Sequence, residues 1–565
     1  MTTNCTSGSH ANLTHATLMN MMEEAKGEKT LQRQPLLYEF TAPMGPTHFD
    51  MTAEAHRIYK FIVGIDKDKP KQMTEEEANH SLQDPFANLL LKNGKFPLTA
   101  HEVIKDFQET SFHPKGLEKF HSFVIAEGGQ ILWNETTQRM DRSARYVFSM
   151  ETKEGIGPDV LISTGTHVNS NTQFLQLMSW DPINKAYNFY QRLKAFWIWS
   201  GNSYHSLQPE SRGKGPFSGH INGGPIMKEL RIPWQHWNSM NAVITKEALD
   251  PLDPIQNSPY FSNKEGGDIF EKIIESGLHH WNTSRVDTAL VRKSVNFDSF
   301  LRQLTSTTNV NLTSSVEPSG SITTSSEFSL PFSFFANFRA LSIVNIEPII
   351  RQIVIPGSIY LESLRHFEFA LESEGVKISG DTHFAFFVPE PAHEDIDLLE
   401  KMIEHKIMTA RFAACLLMVD FSNPIYSQSR ASLQKYMPSF IVNGNSLECE
   451  QHFVAKILES KKHLDPTTPE AEFISYWSLE EDYAKTFENM LIDYMELVQQ
   501  LCQTQEGYNQ IVKLAESRRF TFKNTPQFEF DLTFATNNIP SDIFPLEMTK
   551  KGIIRPVPAN PDRND

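Results

Sequence analysis

Between Phe196 and Ser239 the chain reads FWIWSGNSYHSLQPESRGKGPFSGHINGGPIMKELRIPWQHWNS, which spaces His205, His220 and His236 about fifteen residues apart. Neutral imidazole is a common ligand for iron, copper and zinc. Three such nitrogens, with positions left open for water or oxygen, make a metal centre. The same side chains suit proton transfer. Arg212 stands in Ser-Arg-Gly-Lys-Gly, where an exposed guanidinium is placed to clamp a carboxylate or phosphate. Asn222 and Asn202 are placed to orient a polar ligand.

Trp197, Trp199, Trp234 and Trp237 give the stretch its apolar wall. Two-residue spacing puts Trp197 and Trp199 on one strand face. They fit either an aromatic core with satisfied indole N–H groups or a cleft that stacks on a ligand. The expected set is therefore His205, Arg212 and His236 in catalysis. Trp197, Trp199, Asn222 and Trp234 are expected around a cofactor, with His205, His220 and His236 as metal ligands. The expected cofactor is a His-ligated transition metal or haem.

Other residues carry weaker signals. His279-His280-Trp281 closes a helical pattern, where the helix dipole favours histidine. Asp420 follows an apolar run in Val419-Asp420-Phe421-Ser422-Asn423-Pro424, a place for a catalytic acid or an ordinary turn. The Glu-x-x-His pairs Glu118–His121 and Glu390–His393 have the spacing of dimetal carboxylate ligands. Pro389 and Pro391 flank Glu390 and disfavour a mid-helix position for it.

Several motifs are missing. The chain has no Gly-x-x-x-x-Gly-Lys-Ser/Thr, no Gly-x-Gly-x-x-Gly after a strand, no Gly-x-Ser-x-Gly, no His-Glu-x-x-His and no Cys-x-x-Cys-His. These absences argue against P-loop and dinucleotide sites, a nucleophile elbow, a zincin and covalent haem.

The elements that must position the central stretch read as follows. Residues 1–35 are polar and small and form an expected flexible arm. Residues 36–148 read as mainly helical, with a Thr99-x-x-Glu102 capping box. Helical signals stand on both sides of Pro85, with a break there.

Residues 149–390 are strand-rich and hold the candidate site. Phe174–Trp180 and Ala186–Arg192 flank the turn Asp181-Pro182-Ile183-Asn184-Lys185 as a hairpin, with Phe196–Trp199 as a third strand. Asp268–Trp281 has helical periodicity, and Phe332–Ile350 reads as strand. Residues 391–519 turn helical again. Tyr483, Phe487, Met490, Tyr494, Leu497 and Leu501 recur at steps of four and three. That stripe would pack on the protein or form a homo-oligomer. Residues 520–565 read as an extended tail in which Phe520, Phe522, Phe528 and Phe530 alternate. Helices, then strands, then helices predict an α+β fold.

Composition bounds the function. A net charge of −17, with no segregated basic patch, excludes a nucleic-acid partner. Four dispersed cysteines indicate neither a disulfide framework nor a zinc knuckle. The N-terminal residues show no Sec-type signal and no stretch reads as a membrane span, so a soluble cytoplasmic protein is expected. The function expected is a metal- or haem-dependent oxidoreductase acting on a small organic molecule in an aromatic-lined pocket. The alternatives are an acid–base hydrolase or lyase using the same histidines, and a non-catalytic ligand-binding protein with a tryptophan platform.

Overall fold

The computed structural model describes residues 55–67, 69–110, 119–126, 135, 144–151, 157–225, 251–252, 254–349, 352–373, 376–381, 384–438, 440–442, 446–523 and 535–558. The fold is α+β. Among the described residues eight strands form one sheet: β1 (Ile58–Lys60), β2 (Lys71–Gln72), β3 (Lys119–Ala126), β4 (Ala144–Glu151), β5 (Val160–Gly165), β6 (Leu175–Asp181), β7 (Ala186–Leu193) and β8 (Phe196–Asn202). Their order is β2-β1-β8-β7-β6-β5-β4-β3. From β3 to β8 each strand pairs antiparallel with its sequence neighbour, while β1 joins β8 in parallel.

The predicted hairpin is β6–β7, with Asp181 opposite Ala186. Its turn is set by Asp181, whose Oδ1 accepts the N–H groups of Ile183 at 2.9 Å and Asn184 at 2.7 Å. Helices α1 (Glu75–Ser81), α2 (Pro85–Leu89) and α3 (Ala100–Glu109) lie N-terminal to β3. The break at Pro85 falls where expected: Asp84 caps α2 and Pro85 opens it. The Thr99–Glu102 capping box is present. Phe86, Val103 and Phe107 from these helices share one core with sheet residues Tyr146, Phe148, Trp197 and Trp199.

After β8 come α4 (Ser203–Ser206), α5 (Gly267–Val291) and α6 (His393–Glu404), then α7 (Ala410–Met418), α8 (Tyr483–Cys502) and α9 (Gln505–Lys523). A second core lies among the C-terminal helices, with Phe412, Leu416, Phe487, Tyr494 and Tyr508 inside it. No helix among the described residues is long and apolar enough to cross a membrane.

Three local readings change. Residues 332–349 do not form a strand: Phe332–Phe334 is a 3-10 turn and Phe338–Ile343 an α-helix, started by Asn337 accepting from the Ala340 amide. Phe520 and Phe522 lie on α9, which runs to Lys523, and Phe528 and Phe530 fall outside the described residues. On α8 the buried face is Phe487, Leu491, Tyr494, Val498 and Cys502, whereas Leu497 is exposed. A straight helix turns every 3.6 residues, so a strict seven-residue stripe drifts off the packed face.

Candidate functional site

Trp197 and Trp199 share a face, as their spacing requires, and both are buried in the sheet core. Trp197 Nε1 donates to the Pro97 carbonyl at 2.8 Å, and its ring meets Phe86 edge-on at 4.7 Å. Trp199 Nε1 donates to Asn188 Oδ1 at 2.9 Å. Asn188 Nδ2 in turn donates to Asp84 Oδ2 at 2.8 Å, and the Tyr190 hydroxyl reaches the same oxygen at 2.6 Å. Burial pushes the Asp84 carboxyl above its ordinary range, offset by the Tyr190 bond. Both indoles are thus satisfied from within the protein.

His205 sits at the end of the short helix α4. Its Nδ1 lies 2.8 Å from Asn202 Oδ1 and 3.1 Å from the Asn202 amide nitrogen, so one tautomer donates to the first and the other accepts from the second. Burial, then the nearby Lys60 charge, pushes this imidazole down to about 4, which leaves it neutral at pH 7. Its ring stands edge-on to Trp199 at 5.6 Å.

His220 Nδ1 lies 2.9 Å from the Gly224 carbonyl, and its ring packs 5.3 Å from Phe189. The Arg212 guanidinium donates to the Leu207 carbonyl. His236, Trp234 and Trp237 lie outside the described residues. Among the described residues no three His, Cys, Asp or Glu side chains group as a metal ion would require.

The loop after His220 makes the connection that matters. Gly223 takes a left-handed φ of 82°, and a Cβ there would stand 2.7 Å from the Ser203 carbonyl. Only glycine fits this approach. It brings Asn222 beneath α5 and α6, where its carbonyl accepts from Trp281 Nε1 at 2.8 Å. Its side-chain amide donates to Glu394 Oε1 at 3.1 Å. Asn309 donates to the same oxygen at 2.7 Å.

Helices α5 and α6 meet along a polar seam. His393 Nε2 lies 3.6 Å from Glu275 Oε1. His279 Nδ1 lies 2.8 Å from Asp397 Oδ1, and Asn282 Nδ2 donates to Asp397 Oδ2 at 2.7 Å. Arg285 donates to Gln303 Oε1 at 2.7 Å, and Gln303 Nε2 donates to Asp395 Oδ1 at 2.8 Å. Burial lowers the Arg285 guanidinium to about 10. Asp395 keeps an outer edge in solvent. Even so, dense packing, and then the neighbouring Glu394, push its carboxyl well above the usual range.

His279 differs from the rest of the seam. Its side chain is 50% exposed, while Asp397 is only 9% exposed. The next residue, His280, tilts over Trp180 at 4.1 Å, and burial, then His279, lowers its imidazole. Lys401 and Glu404 pair at 2.8 Å further along α6. The Glu404 carboxyl is held low mainly by Lys401, with a smaller contribution from His279.

The sequence reads His279 as a helix-end histidine, but α5 runs on to Val291, so His279 sits mid-helix and the dipole does not account for it. The sequence offers no sign of Asp397, which is 118 residues away. No family model, curated protein or solved structure matches this chain.

Proposed function

We propose that the protein is an acid–base enzyme of the hydrolase or lyase type, with His279 as its base. The observation that supports this reading is an open imidazole backed by a nearly buried carboxylate, with Nδ1 2.8 Å from Asp397 Oδ1. A carboxylate only accepts, so Nδ1 carries the proton and the lone pair sits on Nε2. A fixed tautomer with its basic nitrogen turned outward is what proton abstraction needs. Asn282 holds the second carboxylate oxygen, so the pair does not swing.

The experiment uses p-nitrophenyl acetate, which a well-placed imidazole cleaves without a specific pocket. The wild type should exceed buffer, and His279→Gln should lose more of that excess than His452→Gln, which removes an exposed histidine on another helix, with an unchanged melting curve. Asp397→Asn should lie between, because the imidazole remains but loses its tautomer preference. Equal rates for wild type and His279→Gln end the assignment.

A second reading keeps the oxidative centre on His205, His220 and His236. What favours it is His220: a carbonyl accepts from its Nδ1, which directs its lone pair to Nε2, the arrangement metal-binding histidines use. Elemental analysis of the purified chain decides this. Stoichiometric iron, copper or zinc that falls in His220→Ala without loss of folding supports it, and a metal-free chain rejects it.

A further inference from the structure

Glu404 is the last residue of α6, where the helix dipole opposes a negative charge. Its carboxylate is held there by Lys401, three residues back, which donates to Oε2 at 2.8 Å. The charges that act on it are those of Lys401, then His405 and His279, all of them basic groups. This spot on the surface suits a carboxylate, and the chain fills it with one of its own.

The two partners are held differently. The Lys401 side chain is 10% exposed and that of Glu404 53%. Packing around the lysine stem fixes the ammonium, while the glutamate can swing into water. An ion pair with one partner so exposed contributes little. A carboxylate from a ligand can therefore take the place of Glu404 on Lys401.

Lys401 also lies one turn beyond Asp397 on the same face of α6, about 6 Å along the axis. Asp397 holds His279 Nδ1 at 2.8 Å. Glu275, one turn before His279 on α5, is engaged by His393 at 3.6 Å. One small molecule can thus set a carboxylate on Lys401 and a carbonyl at His279 Nε2, provided roughly three carbon–carbon bonds separate them.

We propose that the substrate is a short ester carrying a free carboxylate, such as a succinate half-ester, with Lys401 setting the specificity and Glu404 as its displaceable stand-in. This rests on His279 as the base. In the reaction a water oxygen bonds to the ester carbon while His279 Nε2 takes one proton of that water. The ester C–O bond then breaks, and the leaving alkoxide carries the proton away.

The test titrates the full chain with monomethyl succinate, with dimethyl succinate as the uncharged control, and follows the broadening of the ligand lines by NMR. The half-ester should bind the wild type along a saturable curve, and the diester should not. Glu404→Gln should bind the half-ester about twofold to fivefold tighter, the size of an exposed ion pair that no longer competes. Lys401→Met keeps the packed stem and should bind roughly tenfold weaker. Glu400→Gln removes the same charge from an exposed position on α6 and should change the affinity little. No saturable binding to the wild type, or equal tightening in Glu400→Gln and Glu404→Gln, overturns the proposal. Glu404 is at the surface, so this comparison stands even if Lys401→Met does not fold. The titration reads binding alone. It stays positive if His279 proves inert toward p-nitrophenyl acetate, and then the base assignment falls while the carboxylate site remains.

Discussion

Trp197→Ala should cost about 3–5 kcal/mol of folding stability, the range for removing a large buried aromatic. The indole is fully buried and packs edge-on against Phe86. It also ties β8 to the segment before α3 through the Pro97 carbonyl. Trp197→Phe separates the two contributions. It keeps most of the apolar area and removes the N–H donor, leaving a buried carbonyl unsatisfied for about 1–3 kcal/mol. Urea unfolding of the three proteins measures both steps. A Trp197 that served mainly as a ligand platform would behave differently: alanine there would cost little stability. A loss under about 1 kcal/mol for Trp197→Ala therefore contradicts the core assignment, since burial of one such side chain alone is worth more than that.

The contrast between Trp197 and His279 shows where sequence reading succeeds. Parity along a strand is local, so the shared face of Trp197 and Trp199 is legible from their spacing. The β6–β7 hairpin is legible for the same reason, since Asp181 builds its own turn within three residues. The Thr99 capping box and the start of α2 at Pro85 are local as well.

What packs on these elements is not local. Phe86 reaches Trp197 across more than a hundred residues, and nothing near Trp197 announces it. The choice between core and cleft therefore stays open until the partner is seen. Residues 332–350 misread for a different reason. Closely spaced phenylalanines resemble a strand, but Asn337 spends its side chain on capping a helix. The α5–α6 seam is the extreme case. His279 and Asn282 are one helical turn apart and so share a face, which the sequence permits one to say. Their common partner Asp397 sits on another helix, placed there by tertiary packing alone.

Asp420→Asn should make the protein more stable above pH 6 by up to about 3 kcal/mol, the free energy of a pKa difference slightly above two. Asp420 takes a left-handed φ of 52° at the end of α7, a conformation that Asp and Asn tolerate better than most residues. Its carboxylate accepts from Ser427 Oγ at 2.6 Å and from Asn423 Nδ2 at 2.7 Å, and it feels Arg430 as an attraction and Glu472 as a repulsion. Burial outweighs these and lifts the carboxyl from 3.8 to about 6. Below pH 4 the group is protonated in both folded and unfolded chains and contributes nothing to the balance. Between pH 4 and 6 the unfolded chain releases the proton and the folded chain holds it, so stability falls as pH rises. Above pH 6 the full cost is present. Asparagine is neutral throughout, can accept from Asn423 through its oxygen and can donate to Ser427 through its amide, so the loop keeps both bonds. Urea denaturation at pH 4 and pH 7.5 should show a shallower fall for Asp420→Asn than for the wild type. Parallel curves would mean that Asp420 is ionised at little cost in the folded chain.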